Sequence, residues 1–99
     1  MIARHWKGIF KPEEAENYID HLKNETFVHL SEIEGFVQAS ILNRPVENGI
    51  EFLIITIWHS KEAIQQFAGP DYELAVVPEK VQAMTVEYDK VVQHYEIAD

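Results

Sequence analysis

The sequence predicts an α+β fold in which one antiparallel sheet of four strands carries both helices on one face. Two observations predict it. The apolar positions alternate along the chain between strand-like and helix-like spacing, in the order strand, helix, strand, strand, helix, strand. The run Glu51–Trp58 is also β-branched or aromatic on both of its alternating faces. Such a strand needs cover on both sides of its sheet, and a chain of 99 residues rarely supplies two covering layers.

The first half of the chain predicts a strand, a helix and a hairpin. Ile2–Phe10 has the composition of a first strand. Lys11–Glu14 then starts a helix, because proline suits the first turn and carboxylates favour the positive end of the helix dipole. We expect this helix to fray near His29. A second strand over Gly35–Arg44 turns through Pro45–Gly49 into the third strand, because Asn-Gly is the strongest short hairpin signal.

The second half predicts a helix and a last strand. Ser60 is expected to cap a helix that runs to Ala68 and stops at Gly69-Pro70. Another helical turn or two is expected over Asp71–Val77, and the last strand over Val86–Ile97. Right-handed crossovers then favour the strand order 4-1-3-2, the ferredoxin-like βαββαβ arrangement. The uncovered sheet face predicts a homodimer in which two sheets pack against each other.

Composition excludes several classes of function. The net charge of −9 argues against nucleic acid or an anionic membrane as the partner. The absence of cysteine excludes disulfides, thiolate catalysis and thiolate metal sites. No apolar run approaches the length of a membrane span, and no linker divides the chain. We therefore expect a single domain over residues 1–99 in a cytoplasmic protein.

Segments spread over nearly the whole chain carry a resemblance to a known family. They are Arg4-His-Trp6, Trp58-His-Ser60-Lys-Glu-Ala63, Phe67-Ala-Gly69, Ala75-Val-Val-Pro78-Glu79 and His94-Tyr-Glu96. In these segments the chain resembles the antibiotic biosynthesis monooxygenase-like proteins of the dimeric α+β barrel superfamily. The resemblance implies a homodimer whose sheets form a barrel, with a ligand pocket in each protomer between sheet and helices. Members include cofactor-free oxygenases of aromatic substrates, haem-degrading enzymes and proteins with no known reaction.

The predicted strand order also brings chemically capable side chains together. The start of the first strand lies beside the ends of the third and fourth strands. Arg4 and Trp6 are therefore expected near Trp58 on one side and near His94 and Glu96 on the other. Alternation places each pair on one face of the sheet without fixing which face. A cation, an imidazole, a carboxylate and two indoles beside a helix start predict a site for a flat, partly anionic ligand.

Within this site His94 is the candidate base, because imidazole exchanges protons near neutral pH, and Arg4 is the candidate that steadies an anion. The candidate pocket residues are Trp6, Trp58, Phe67, Tyr72 and Glu96. Structural roles compete with these assignments. The tryptophans also suit a core or a dimer interface, Arg4 also suits an ion pair with Glu96 or Glu51, and Tyr72 also suits a cap on a short helix.

The sequence gives little support for metal binding, for nucleophilic catalysis by serine or for phosphate binding. His94 and Glu96 could hold a metal, but no third ligand has suitable spacing, so no metal and no cofactor are predicted. The remaining histidines are expected to face solvent: His5, His21, His29 and His59. No serine lies in a nucleophile elbow, and none of the four glycines forms a phosphate-binding loop.

Three functions follow from these observations. The first is a cofactor-independent monooxygenase that acts on a small phenol or quinol. The alternative, almost level with it, is a non-catalytic homodimer that binds a small molecule or serves as an interaction module. Haem binding and degradation is the third and is disfavoured. Relatives with that activity ligate iron through a histidine on the helix after the third strand, and Lys61–Thr85 contains none.

Overall fold

An antiparallel sheet of five strands forms the centre of the fold. The structure is a computed structural model that describes residues 1–99. Its strands are β1 (Ile2–Phe10), β2 (Phe36–Val46), β3 (Gly49–Trp58), β4 (Thr85–Tyr88) and β5 (Gln93–Glu96). The spatial order β2-β3-β1-β4 confirms the predicted order 4-1-3-2, and β5 pairs with the edge of β1 that also carries β4.

Four short α-helices cover one face of this sheet. They are α1 (Ala15–His21), α2 (Phe27–Ser31), α3 (Lys61–Ala68) and α4 (Glu79–Gln82), with a 3₁₀ turn over Pro12–Glu14 and a π-helical turn over Leu22–Thr26. No helix has the length and apolar character that crossing a membrane requires. The predicted first helix is therefore interrupted, because the π-helical turn separates α1 from α2. Such a turn inserts one extra residue into the helix and changes which side chains face the sheet beyond it.

The last strand is not the single segment that was predicted over Val86–Ile97. Residues 89–92 separate β4 from β5, and the chain leaves β1 after Asp89, whose amide still donates to the carbonyl of Lys7. Val91 instead forms a bridge with Leu74, and the amide of Val92 donates to the carbonyl of Glu73 at 2.8 Å. Because these backbone groups bond to residues 73–75, the ladder with β1 is broken there.

The same pairing explains why the helix predicted over Asp71–Val77 is wrong. A single turn survives, in which the amide of Leu74 donates to the carbonyl of Asp71. Beyond it the amide of Ala75 donates to Lys90 rather than back along its own segment. The helix forms later, as α4, where Pro78 occupies the N-cap position and its carbonyl accepts from the first turn.

The two faces of β3 differ in their cover. Phe52, Ile54, Thr56 and Trp58 are buried beneath the helices. The alternate residues Leu53, Ile55 and Ile57 are only partly buried. One aromatic group on the covered side joins Phe10, Tyr18 and Phe52, with the first two rings stacked 4.0 Å apart. A second group packs Trp58 against Leu30, Ala63 and Ile64. The single chain thus encloses one sheet face and leaves the other partly open.

The hairpin between β2 and β3 is tighter than predicted. Only Glu47 and Asn48 lie outside the strands, because Val46 already pairs with Gly49. Gly49 has a φ of +153°, a backbone conformation that residues with a side chain rarely adopt, and a Cβ there would collide with the carbonyl oxygen of Phe10. Glycine is therefore required at this position for both conformation and space.

The helix cap at Ser60 generates a stability prediction. Its hydroxyl accepts from the amide of Ala63 at 3.2 Å, which confirms the predicted cap. We expect Ser60→Ala to lower the free energy of unfolding by about 1 kcal/mol, because an amide at the start of α3 loses its partner. Urea unfolding measures the change. Ser31→Ala, which removes an exposed hydroxyl at the end of α2, is the control and should alter stability by less than about 0.5 kcal/mol. Equal losses in both variants would contradict the capping role.

Candidate functional site

A cavity of about 80 Å³ lies between the covered sheet face and the helices. Sixteen residues line it, and eleven of them are hydrophobic. The sheet contributes Arg4, Trp6, Ile54 and Thr56; the helical side contributes Tyr18, His21, Leu22, Thr26, Phe27, Leu30 and Phe67; and the final part of the chain contributes Val76, Val77, Pro78, Val81 and Val92. An apolar cavity with a few convergent polar groups is the usual form of a small-molecule site.

The cavity is small in this structure. An apolar cavity of about 150 Å³ is enough to hold a benzene molecule in another protein. At about 80 Å³ the present cavity is roughly half that size. A single aromatic ring therefore fits only if the walls separate.

Arg4 is the charged group of this cavity. Its pairing across the sheet with Thr56 of β3 and His94 of β5 places all three side chains on the helix-covered face. The side chain is 5% exposed. Its guanidinium donates to the carbonyls of Tyr72 and Leu74 and contacts Nε2 of His94 at 3.1 Å. The register therefore fixes the face that alternation had left open.

No carboxylate neutralises this cation. None of the ion pairs in the structure involves Arg4, so the predicted pairing with Glu96 or Glu51 is wrong. Glu51 pairs with Arg44 at 2.8 Å instead. Backbone carbonyls supply partial negative charge, and the ring of Phe67 lies 5.9 Å from the guanidinium carbon. Burial lowers the pKa of Arg4 to about 10, so the side chain is still cationic at neutral pH.

A buried cation without a counter-ion is energetically unfavourable. Its carbonyl and imidazole contacts offset part of that penalty. An anion that entered the cavity would offset more, because charge-assisted hydrogen bonds from guanidinium are among the strongest in proteins. The site is thus chemically suited to a ligand that is apolar over most of its surface and anionic at one point.

His94 contacts the guanidinium of Arg4 directly. Guanidinium can only donate, so Nε2 of His94 accepts and the ring proton resides on Nδ1. The pKa of His94 is lowered, first by burial and then by the charge of Arg4, against a smaller opposing effect of Glu73. His94 does not border the cavity. The lone pair that a base would use is already engaged by the guanidinium.

The other predicted pocket residues divide into two groups. Trp6 and Phe67 line the cavity. Trp58, Tyr72 and Glu96 do not. Trp58 is fully buried, and its indole donates to the hydroxyl of Thr56 at 2.8 Å. Tyr72 contributes its carbonyl to Arg4, while the side chain of Glu96 is 80% exposed beside the N-terminus.

His21 is the cavity residue that the sequence analysis placed wrongly. It was expected to face solvent, but it is 7% exposed and lines the cavity. Its Nδ1 is buried without a hydrogen bond, and Oε2 of Glu25 lies 3.3 Å away. The signal was present, because His21 follows Tyr18 by three positions on the same helical stripe. Tyr18 was also missed as a lining residue, and burial raises its pKa so that it stays a neutral phenol.

No three histidine, aspartate or glutamate side chains meet in a geometry that could hold a metal ion. Of the pair His94 and Glu96, His94 contacts Arg4 at 3.1 Å and Glu96 lies 4.0 Å from the N-terminal amine.

Known proteins share this fold. A family model described as antibiotic biosynthesis monooxygenase matches residues 1–79. A Bacillus cereus protein assigned to the antibiotic biosynthesis monooxygenases is 18% identical with a TM-score of 0.69, and the match covers 100% of this chain and 93% of that one. SnoaB, a cofactor-independent oxygenase from Streptomyces nogalater, is 14% identical with a TM-score of 0.68, covering 99% and 93% of the two chains.

A third solved structure is that of a haem-degrading protein. MhuD, a haem degrader from Mycobacterium tuberculosis with two haems bound in its active site, is 18% identical with a TM-score of 0.61, covering 100% of this chain and 97% of that one. At these identities the structures share the fold alone. The comparison with curated protein sequences gives no match. The family match ends at Glu79, so His94 lies outside it.

The contact between Arg4 and His94 predicts a pH dependence of stability. A histidine whose pKa is lowered in the folded state binds protons more weakly than in the unfolded chain. Its stabilising contribution is therefore complete above about pH 6.5 and is lost as the pH falls towards the lowered folded value. We expect His94→Gln, which keeps an acceptor for Arg4 but does not titrate, to flatten the fall in unfolding free energy as the pH drops below about 6.5. Urea unfolding across that range measures it. Parallel curves for the two proteins would contradict the assignment.

Proposed function

Because the chain belongs to the antibiotic biosynthesis monooxygenase family, we propose that it is a cofactor-independent monooxygenase acting on a small phenol or quinol. The observation that carries the proposal is the buried, uncompensated cation of Arg4 at an apolar cavity. A phenolate matches both features, because its ring suits the apolar walls and its oxygen suits the guanidinium. SnoaB gives the proposal a precedent within the fold, as a cofactor-independent oxygenase.

The reaction of a phenol with oxygen requires the protein only to bind the ring, to stabilise its anion and to exclude water. An ionised phenol is electron-rich enough to react with oxygen once it is held away from water. One oxygen atom becomes a carbonyl on the ring carbon opposite the phenolic oxygen. The other leaves as water with the two hydrogens that the substrate loses, one from its hydroxyl and one from that carbon. The substrate supplies all the electrons, so the balance requires no external reductant.

Each lining group has a role in this proposal. Arg4 stabilises the phenolate, while Trp6 and Phe67 pack against the ring. His94 keeps the guanidinium oriented through its Nε2 contact. Tyr72 and Leu74 contribute backbone carbonyls that fix the same group from the other side. These contacts pre-orient the cation, which is how an enzyme stabilises developing charge without reorganisation.

An aromatic ring needs more room than the cavity of about 80 Å³ offers, so the walls must part to hold it. Glu25 of the π-helical turn and Lys80 of α4 form an ion pair at 2.9 Å that joins two of those walls. Both side chains are more than half exposed, so water and salt screen the attraction and the pair contributes little to stability. Thermal opening at this contact is therefore a low-energy route for a ring to enter.

Haem fits the site less well. The cavity of about 80 Å³ is far smaller than a porphyrin, and no histidine lies on α3 or α4. We therefore assign the oxygenase rather than the haem-degrading branch of the fold to this chain.

We also propose a homodimer formed through the open sheet faces. The partly buried Leu53, Ile55 and Ile57 form the centre of that face, and Leu42 and Tyr95 are exposed beside them. Charges of both signs lie around this centre, including Lys7 and Glu87. A second copy of the same face would cover the apolar centre and pair opposite charges across a two-fold axis. At about 25 cal/mol per Å² of apolar surface, a standard interface would stabilise so small a chain strongly.

Substitution of Arg4 tests the oxygenase proposal. Oxygen uptake is measured with a panel of phenols and quinols, alongside ligand binding without oxygen. We expect Arg4→Gln to reduce binding and uptake about 10- to 100-fold, because a charge-assisted hydrogen bond contributes about 1.5–3 kcal/mol. Arg4→Lys should lose less, because it keeps the charge.

The matched control is Arg44→Gln, which removes an exposed guanidinium far from the cavity and should leave both measurements unchanged. Binding without uptake in the wild-type protein would favour the non-catalytic small-molecule-binding alternative. Absence of both would refute the proposed function.

Substitution of the open face tests the homodimer. We expect the wild-type protein to sediment as a dimer at micromolar concentration and Ile55→Lys to sediment as a folded monomer, because the new charge would be buried in the interface. Val28→Lys, on the exposed surface of α2, is the control and should remain dimeric. A well-folded wild-type monomer at that concentration would overturn this arrangement.

A further inference from the structure

A buried imidazole lies on the helical wall of the cavity. His21 ends α1, is 7% exposed and lines the cavity to which Arg4 also contributes. Its Nδ1 is fully enclosed and makes no hydrogen bond in the protein. Buried polar side chains are almost always hydrogen-bonded, and an orphaned one is destabilising by about 1–3 kcal/mol. A structural histidine would have resolved this deficit within the fold.

Glu25 gives His21 a connection to the surface. Its Oε2 lies 3.3 Å from Nδ1 of His21 and 2.9 Å from Nζ of Lys80. The hydrogen bond from Lys80, followed by its charge, lowers the pKa of Glu25, so the carboxylate stays ionised. The carboxylate is more than half exposed. The three side chains thus run from the cavity wall to solvent as imidazole, carboxylate and ammonium.

The helix is distorted where this connection is made. The π-helical turn Leu22–Thr26 begins directly after His21 and contains Glu25. Such turns are rare and recur at functional sites, because they re-aim side chains at a cost in helix stability. Here the distorted turn carries one lining residue at its start and another at its end, Leu22 and Thr26.

We propose that His21 is the proton acceptor of the site. This inference rests on the proposed function only for the class of ligand, a phenol. In the proton transfer, Nε2 of His21 takes the proton of the substrate hydroxyl, so that the O–H bond breaks as an N–H bond forms. The carboxylate of Glu25, whose Oε2 lies 3.3 Å from Nδ1, stabilises the resulting imidazolium by its charge. The phenolate that remains faces Arg4.

The histidine predicted from the sequence is less suited to that step. Nε2 of His94 already accepts from Arg4, and His94 does not border the cavity. The charged groups that bear on His21 are Glu25 on the π-helical turn, Lys80 on α4 through Glu25, and Arg4 on β1 across the cavity. The two histidines therefore have separate tasks, since His94 orients the cation and His21 receives the proton.

Proton counting tests the assignment without any turnover. A nitrophenol whose neutral and ionised forms absorb differently is bound in the absence of oxygen, at a pH where the free ligand is neutral. Calorimetry in two buffers with different heats of ionisation counts the protons released. In the wild-type protein we expect the ligand to absorb as phenolate with no proton released, because His21 retains it. In His21→Gln, phenolate binding should release about one proton per ligand.

Two further measurements distinguish the loss of a proton acceptor in His21→Gln from misfolding of that variant. The ¹⁵N spectrum of the wild-type histidines should show one imidazole become doubly protonated on binding. Glu25→Gln, an exposed change, should give proton release between the wild-type and His21→Gln values. The control His59→Gln replaces an exposed histidine and should release none.

The outcomes separate this inference from the proposed function. Release of one proton by the wild-type protein, or bound ligand that stays neutral, would overturn the role of His21. Proton retention without any oxygen uptake would uphold it and refute the oxygenase. If no phenol binds, both proposals are refuted.

Discussion

The guanidinium of Arg4 is the group on which the arrangement of the second half of the chain depends. It lies on the covered face of β1, where burial would be prohibitive without acceptors. The carbonyls of Tyr72 and Leu74 provide them, and this draws residues 72–74 across the end of the sheet. Those residues then pair with residues 90–92, which divides the last strand in two. One buried cation thus accounts for the absent helix, the broken strand and the polar end of an apolar cavity.

The site combines features that lower stability. A cation without a counter-ion and an imidazole without a hydrogen bond are both enclosed in a protein of 99 residues. Apolar packing elsewhere offsets them, most clearly the aromatic group of Phe10, Tyr18 and Phe52 on one side of the cavity. The Trp58 group packs as a second apolar cluster on the same covered face. Unsatisfied polar groups that survive between two well-packed clusters are typical of positions retained for binding or catalysis rather than for folding.

What could be predicted from the sequence followed from local patterns and from general rules of chain connection. The alternation of β3, the cap at Ser60 and the strand order follow from periodicity, capping chemistry and the handedness of crossovers. The errors involve contacts between residues far apart in sequence. Arg4 donates to carbonyls about seventy positions away in the sequence. The secondary-structure propensities of residues 71–77 contain no information about these hydrogen bonds. His21 was misplaced for another reason: a polar residue on an apolar stripe was assigned to solvent, although its spacing from Tyr18 indicated burial.

Trp58 lies outside the cavity, yet it constrains what the cavity can hold. Its indole N–H occupies a lone pair of the Thr56 hydroxyl, and Thr56 forms part of the cavity floor. With that lone pair engaged, the rotation of the hydroxyl is restricted and its hydrogen is left to donate. The floor therefore presents a directed donor beside Arg4, from the neighbouring strand. A ligand with a second oxygen would be selected by the position of that oxygen. Trp58 would therefore determine the orientation of a ligand that it does not contact.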